Sequence, residues 1–431
     1  MRAGAVQFRC HGCGATIDPA LALPFCCPNA FAPGDDIDHV LAPSEEDRSF
    51  PAGAESNPFV RYRRLLSPYR LARKAELSDA AWIDLVESLD AALARVDGRG
   101  FRITPMAEQA ELAKAMGIKG ALWVKDETGN VSGSHKARHL MGVMLYLRVL
   151  EMAKLPAGDG LRARRLAIAS CGNAALAAAV IARAGEWPLD VFIPPDAEPA
   201  VKQRLLDLGA RISVCERRAG EAGDPCVLRC REAVARGAIP FGVQGTENAL
   251  AVEGARTLAF EMAEAFRAAA VAPDLVYVQV GGGALASALA QGFAIAARLG
   301  VLAKLPRLMA VQTAGCAPLE RAWRNLDGRS LEEAARHRSR FMWPWERRPV
   351  SLASGILDDE TYDWWAVVEG MRHSGGRPLV VDEQAIERAW EAARQHTEIH
   401  ASATGTAGLA GAASMPDEQG TIAVIFSGVE R

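Results

Sequence analysis

The stretch LVYVQVGGGALASALAQGFAIAA, from Leu275 to Ala297, carries no Asp, Glu, Lys or Arg. An uncharged run of that length either crosses a bilayer or is buried on all sides inside a folded protein. Its internal pattern decides between the two. Val276, Val278 and Val280 alternate as in a strand, Gly281, Gly282 and Gly283 follow, and the alanine-rich remainder has helical character. Three consecutive glycines would interrupt a spanning helix but suit the turn between a buried strand and a helix. The expectation is a soluble chain, not a membrane protein, built around such strand–loop–helix units.

The same alternation recurs along the chain. ALWVK, RLAIAS, DVFIPP, RISVCE, DLVYVQV, PRLMAVQ, RPLVVD and TIAVIF read as strands, and helical segments lie between them. LSDAAWIDLVESLDAALARVDG adds a helix with a Ser/Asp start and a Gly stop. Alternating strands and helices predict an α/β fold with parallel sheets flanked by helices, and ligands at the carboxyl ends of the strands. A chain of 431 residues, 50% of them hydrophobic, can bury enough core for two domains. Residues 1–45 look separate, with cysteines, prolines and the acidic PGDDIDH.

A net charge of -3 gives no electrostatic case for a nucleic-acid or anionic-membrane partner. The opening MRAGAVQFRC has no apolar signal core, and nine cysteines, an odd number, fit reduced thiols better than a disulfide framework. Both features predict a cytoplasmic protein.

Lysine is scarce. The chain has eight lysines (74, 114, 119, 125, 136, 154, 202 and 304), so arginine supplies 41 of the 49 basic residues. Lys136, in NVSGSHKARH, therefore stands out among small and hydroxylated neighbours. Two further loops lie at strand ends. In VQVGGGALAS, backbone N–H groups at a helix start make an anion site suited to phosphate, or else the glycines serve a tight turn. In ASCGNAALAAA, Asn173 is placed to reach a ligand or to cap the following helix, and the N–H groups around Ser170, Cys171, Gly172 and Ala174 can hold a carboxylate. A lysine, a phosphate nest and an asparagine loop together point to pyridoxal 5'-phosphate, whose aldehyde condenses with lysine.

SGSHKAR, SCGNAA, GGGALAS and the late IFSG occur in the order found in the fold-type-II pyridoxal-phosphate enzymes, and the chain resembles that superfamily over roughly residues 100–431. NALAVEGARTLAFEM, with Glu253, Gly254, Thr257 and Glu261, is similar to the threonine synthase group, as are AVQTAGCAPLERAW, ASATGTAGLAGA and RHSGGRPLVVDEQAIERA. The chain departs from that group at His135 and Ala137 around the lysine, and at Asn130–Ser132, where the group has Asn-Pro-Thr.

The resemblance implies a tryptophan synthase β-like architecture of two three-layer, parallel-sheet domains with the cofactor between them. Residues 46–135 and 240–431 would form the large domain, 136–239 the small one, and 1–45 a cysteine-bearing N-terminal segment. It further implies that Lys136 holds the cofactor as a Schiff base and acts as base at the substrate Cα. Asn173 would bond the ring hydroxyl oxygen, and Gly281, Gly282, Gly283, Ala284 and Leu285 would cradle the phosphate. His135 is an added phosphate contact or a packing residue. Ser427 would face the pyridine nitrogen, giving a weak electron sink that suits elimination. Homodimeric assembly is expected.

The implied reaction is that of a lyase on an α-amino acid, threonine-synthase-like, converting O-phosphohomoserine to threonine and phosphate. Lys125 and Arg138 are the candidate cations for a substrate phosphate. The alternatives are a serine, threonine or hydroxyaspartate dehydratase, or an inactive zinc-ribbon adaptor. The N-terminal segment has Cys10 and Cys13 at knuckle spacing, then Cys26 and Cys27, but Ala30 stands where a second pair would end. His11 or His39 could complete a tetrahedral site. The expectation is a metal-free relic.

Overall fold

The computed structural model describes residues 6–30, 32–44, 49–51 and 53–431. Residues 1–5, half of the segment on which the absence of a signal core rests, lie outside these. The N-terminal part carries strands β1 (Phe8–Cys10), β2 (Thr16–Ile17) and β3 (Leu41–Pro43), paired antiparallel in the order β2-β1-β3. Next come β4 (Met106–Glu108), β5 (Ala121–Asp126), β6 (Leu166–Ala169), β7 (Leu189–Ile193) and β8 (Arg211–Val214). The last are β9 (Ile239–Pro240), β10 (Leu275–Gln279), β11 (Arg307–Thr313), β12 (Arg377–Val381) and β13 (Thr421–Phe426).

Two further sheets organise the chain. One has six strands in the order β12-β11-β10-β13-β5-β4, parallel except for the antiparallel edge strand β4. The other has four parallel strands, β8-β7-β6-β9. Central strands such as β10 are fully buried, which explains their unbroken apolar runs. No helix among the described residues is long and apolar enough to cross a membrane, so the uncharged stretch is a strand, a glycine turn and the helix Ala284–Arg298. Parallel pairing of β10, β13 and β5 brings their carboxyl ends side by side. Those ends lead into the Gly281 turn, the Ser427 turn and the segment before Lys136.

Helix Lys136–Met152 is buried on nearly all faces and packs on helix Ala249–Ala268. The two backbones nearly touch at one crossing. A Cβ on Gly142 would lie 2.8 Å from Gly254 Cα, and one on Gly254 would lie 2.3 Å from the Arg138 carbonyl oxygen. Helix Asp79–Asp97 begins and ends as its sequence predicts, with Ser78 Oγ accepting from Ala81 N–H and Gly98 in the left-handed conformation.

Under that crossing lies a group of four charges. Arg138 Nε donates to Glu127 Oε2 (2.8 Å) and its Nη1 to Glu261 Oε1 (2.6 Å), while Lys125 Nζ donates to Glu261 Oε2 (2.6 Å) and the Thr104 carbonyl (2.6 Å). All four side chains are at most 1% exposed. Burial opposes the Glu127 charge, but Arg138 beside it more than compensates and holds the carboxyl below its ordinary value. Lys125 and Arg138, expected from sequence as cations for a substrate phosphate, are thus bound internally. A two-plus, two-minus cluster is neutral as a whole, and removing one member strands a buried charge. Arg138→Met should therefore lower unfolding stability by about 3–5 kcal/mol, measured by urea titration. A loss of less than about 1 kcal/mol, the range of an exposed pair, would show that the cluster does not act as a buried unit.

Candidate active site

Lys136 is the first residue of its helix, preceded by a turn in which Ser132 (φ 56) and Gly133 (φ 69) take left-handed conformations. That turn is held from below, since Asn130 Nδ2 donates to Glu127 Oε2 (2.7 Å) and Ser132 N–H to Asp97 Oδ2 (2.8 Å). Lys136 makes no hydrogen bond or ion pair among the described residues. Burial pulls its ammonium below the ordinary lysine range, while Asp358 and Asp363 act against that shift.

His135 is buried, and its Nδ1 lies 2.9 Å from the Ser427 carbonyl oxygen. A carbonyl only accepts, so Nδ1 carries the proton and Nε2 is a bare acceptor in the neutral ring. Burial, aided by the Lys136 charge, pushes the imidazole down to about 3. His135 is therefore neutral at physiological pH, and its Nε2 would receive a hydrogen bond rather than give one to a phosphate. The same residue joins the two halves of the site, because its backbone N–H also donates to Ser427 O (3.1 Å).

Ser427 Oγ accepts from Gln279 Nε2 at 2.5 Å. Its own O–H remains available to donate, as a hydroxyl facing a ring nitrogen requires. Asn173 is not the helix cap: helix Asn173–Ala184 is capped by Gly172, with no side-chain cap bond. The Asn173 amide instead turns toward the lysine side, where a Cβ on Gly428 would come within 2.8 Å of its Nδ2, and Gly428 bridges to Ser134. Arg431 Nε donates to Asn173 Oδ1 (3.0 Å). Sequence reasoning missed Arg431, for an arginine in an arginine-rich chain gives no signal of its own. In the Ser170–Ala174 loop, Gly172 N–H already has a weak partner in Ser170 Oγ (3.4 Å).

The glycine turn ends at Gly283 (φ 94), which begins helix Ala284–Arg298 without any side-chain cap. Gly282 N–H donates to Asp358 Oδ2 (2.8 Å), so the nest holds an anionic oxygen. Burial pushes the Asp358 carboxyl up to about 6 and Asp363 up to about 7. Sequence reasoning missed both aspartates, which come from a connection after β11 and before helix Trp364–Ser374.

These residues fit pyridoxal phosphate. Among the described residues the lysine amine is unpaired, a glycine nest accepts an anion, and Ser132 Oγ, Ser134 Oγ and His135 Nε2 are buried without partners. Asp358 must leave the nest for a phosphate to enter. When bound, that cofactor supplies an aldehyde for an amine and an electron-withdrawing ring.

Comparison with known proteins agrees. A family model described as pyridoxal-phosphate dependent enzyme matches residues 99–428. The chain is 28% identical over 311 residues to a threonine synthase of Mycobacterium bovis, covering 72% of this chain and 74% of that protein. It is also 28% identical over 191 residues to a rat protein named serine dehydratase-like, covering 44% and 52%. Among solved structures, diaminopropionate ammonia lyase from Escherichia coli superposes with a TM-score of 0.62 at 17% identity, covering 89% of this chain and 93% of that one. A half-buried lysine at a helix start beside a glycine nest is in keeping with that match: the chain belongs to the pyridoxal-phosphate dependent enzymes and is a lyase of the threonine synthase and serine/threonine dehydratase type.

Proposed function

We propose that the chain eliminates the β-hydroxyl of a small α-amino acid and releases ammonia and a keto acid. The observation that carries this reading is the disposition of charge. Lys125 and Arg138, the cations that a substrate γ-phosphate would need, are bound to Glu127 and Glu261. The charges that act on Lys136 are the carboxylates Asp358 and Asp363. A phosphorylated side chain would meet repulsion there, whereas a hydroxyl would not.

In this reading Lys136 holds the cofactor and, as an amine eased toward neutrality by burial, takes the Cα proton. The Ser170–Ala174 loop would hold the substrate carboxylate, and Asn173 within it would bond the ring hydroxyl oxygen. Gly281, Gly282, Gly283, Ala284 and Leu285 hold the phosphate. Ser427, bonded to Gln279 rather than to a carboxylate, leaves the ring nitrogen unprotonated, which favours elimination over transamination. Threonine synthase is the second reading, favoured by relatives of that name aligned over about seven-tenths of this chain.

Assays offering O-phosphohomoserine, threonine, serine and hydroxyaspartate, with phosphate, ammonia and keto acid measured separately, distinguish the two. Ammonia and keto acid without phosphate are expected, and phosphate release from O-phosphohomoserine would replace the first reading by the second. Lys136→Ala should remove the visible cofactor absorption and turnover while the far-ultraviolet circular dichroism is kept. Retained turnover would remove Lys136 from its role.

Asp358→Asn should tighten cofactor binding by about tenfold or more, because one negative charge leaves the phosphate nest. The wild-type carboxyl is charged above about pH 6 and neutral below it. The advantage of the variant is therefore greatest near pH 8 and shrinks as the pH falls through 6. Fluorescence titration at both pH values checks this, and equal affinities at pH 8 would place Asp358 away from the phosphate.

A further inference from the structure

The N-terminal segment gathers four ligand-type atoms at one point. The sulfurs of Cys10, Cys13 and Cys27 and a ring nitrogen of His39 all lie within 4.8 Å of one another. Cys10 Sγ is 3.5 Å from His39 Nδ1, and Cys13 Sγ is 3.5 Å from Cys27 Sγ. A tetrahedral zinc with Zn–S and Zn–N bonds of ordinary length spaces such atoms about 3.6–3.8 Å apart. The cysteine separation is far beyond a disulfide bond, and all four residues are buried or half-buried.

The surroundings are built as a metal knuckle. Cys10 N–H donates to Ala15 O and Gly14 N–H to Cys10 O, which closes the turn between the first two cysteines. Backbone N–H groups of Gly12 and Cys13 face the Cys10 sulfur, that of Ala15 faces Cys13 and that of Asn29 faces Cys27. Asn29 Nδ2 adds a contact to Cys13 Sγ (3.5 Å). The far nitrogen of His39, Nε2, lies 2.7 Å from Asp35 Oδ2. A carboxylate on the outer nitrogen fixes the tautomer that leaves the inner nitrogen free to bind a metal.

We propose that Cys10, Cys13, Cys27 and His39 bind one zinc ion in a closed, structural Cys3His site oriented by Asp35. Loading releases the thiol protons to solvent and leaves three thiolates and a neutral imidazole on the metal. Soft thiolates select zinc over hard divalent cations. The sequence expectation of a metal-free relic rested on Ala30 in the last cysteine position. The fold supplies His39 there instead, carried in by the strand that follows it, and leaves Cys26 outside the set.

The site also anchors the segment to the body of the enzyme. Between Asp35 and His39, Asp38 N–H donates to Ala335 O (2.7 Å), Asp36 O accepts from Arg338 N–H (2.8 Å), and Asp36 Oδ1 accepts from Ser339 N–H (2.7 Å). Arg338 in turn pairs with Glu360, three residues before Asp363. Zinc loss is therefore expected to lower thermal stability.

The test uses full-length protein purified without chelator and with thiols kept reduced. About one zinc per chain is expected by elemental analysis, kept in Cys26→Ala and lost in Cys13→Ala. Cobalt substitution should give the ligand-field bands of a tetrahedral thiolate site, at wavelengths longer than the cofactor absorption. Because Cys13→Ala can simply misfold, Asp35→Asn is the second variant. It keeps all four ligands and should weaken zinc retention roughly 10–100-fold in chelator competition. Absence of zinc, equal loss in Cys26→Ala, or unchanged retention in Asp35→Asn would each overturn the proposal.

Discussion

The placement of Lys136 depends on the buried contact between Arg138 and two glutamates. Arg138 lies two residues into the helix that Lys136 begins, and its guanidinium spans Glu127 from the end of β5 and Glu261 from helix Ala249–Ala268. Three separate parts of the chain are thereby fixed against one another at zero net charge. Burial works against each ion singly, and only the set restores what each loses. The Gly142–Gly254 crossing is the apolar counterpart, since any side chain there would push the helices apart and pull the guanidinium off its partners. Lys136, by contrast, is left without a partner among the described residues, at the open end of the same helix. A rigid base with an unpaired amine at its tip is what a nucleophilic lysine needs.

Below its first turn the chain keeps charges compensated; above it they are left unbalanced. Asp363 is buried and Asp358 partly so, both with weak compensation, and both carboxyls are raised toward neutrality. Two negative charges beside a phosphate nest oppose a second phosphate more strongly than they oppose a hydroxyl. The same carboxylates keep Lys136 from losing its proton as far as burial alone would drive it. On the proposed reading, substrate choice and lysine basicity are coupled through two residues. Changing either aspartate should alter both, which separates them from residues that act on binding alone.

The fold was legible where long apolar runs and glycine turns coincided. β10, β11 and β13 lie where their sequences predicted, because a strand buried on both faces must be apolar along its length. β4 and β9 carried no such signal. Met106–Glu108 is mostly exposed at a sheet edge, and Ile239–Pro240 is two residues long. Lys125 and Arg138 were legible as cations near Lys136 but not as internal ones, because spacing along a chain does not tell which acids lie opposite. Their partner Glu261 is more than a hundred residues away and becomes adjacent only through helix packing. His39 was legible only as one of two candidate histidines, since the choice between His11 and His39 is made only when β3 folds back on β1.

His135 and Ser427 show how a departure from the family pattern is absorbed. A histidine before the lysine introduces a titratable ring beside the amine. The ring is tied through Nδ1 to the Ser427 carbonyl, and burial, aided by the Lys136 charge, keeps it uncharged against the pull of that bond. Ser427 in turn has its hydroxyl held by Gln279. A charged imidazole would repel the Lys136 ammonium. A neutral one acts as a strut that sets the distance between the lysine turn and the Ser427 turn. On this argument, His135 contributes through position rather than proton transfer, and an asparagine there, able to donate to the same carbonyl, would preserve the geometry better than an alanine would.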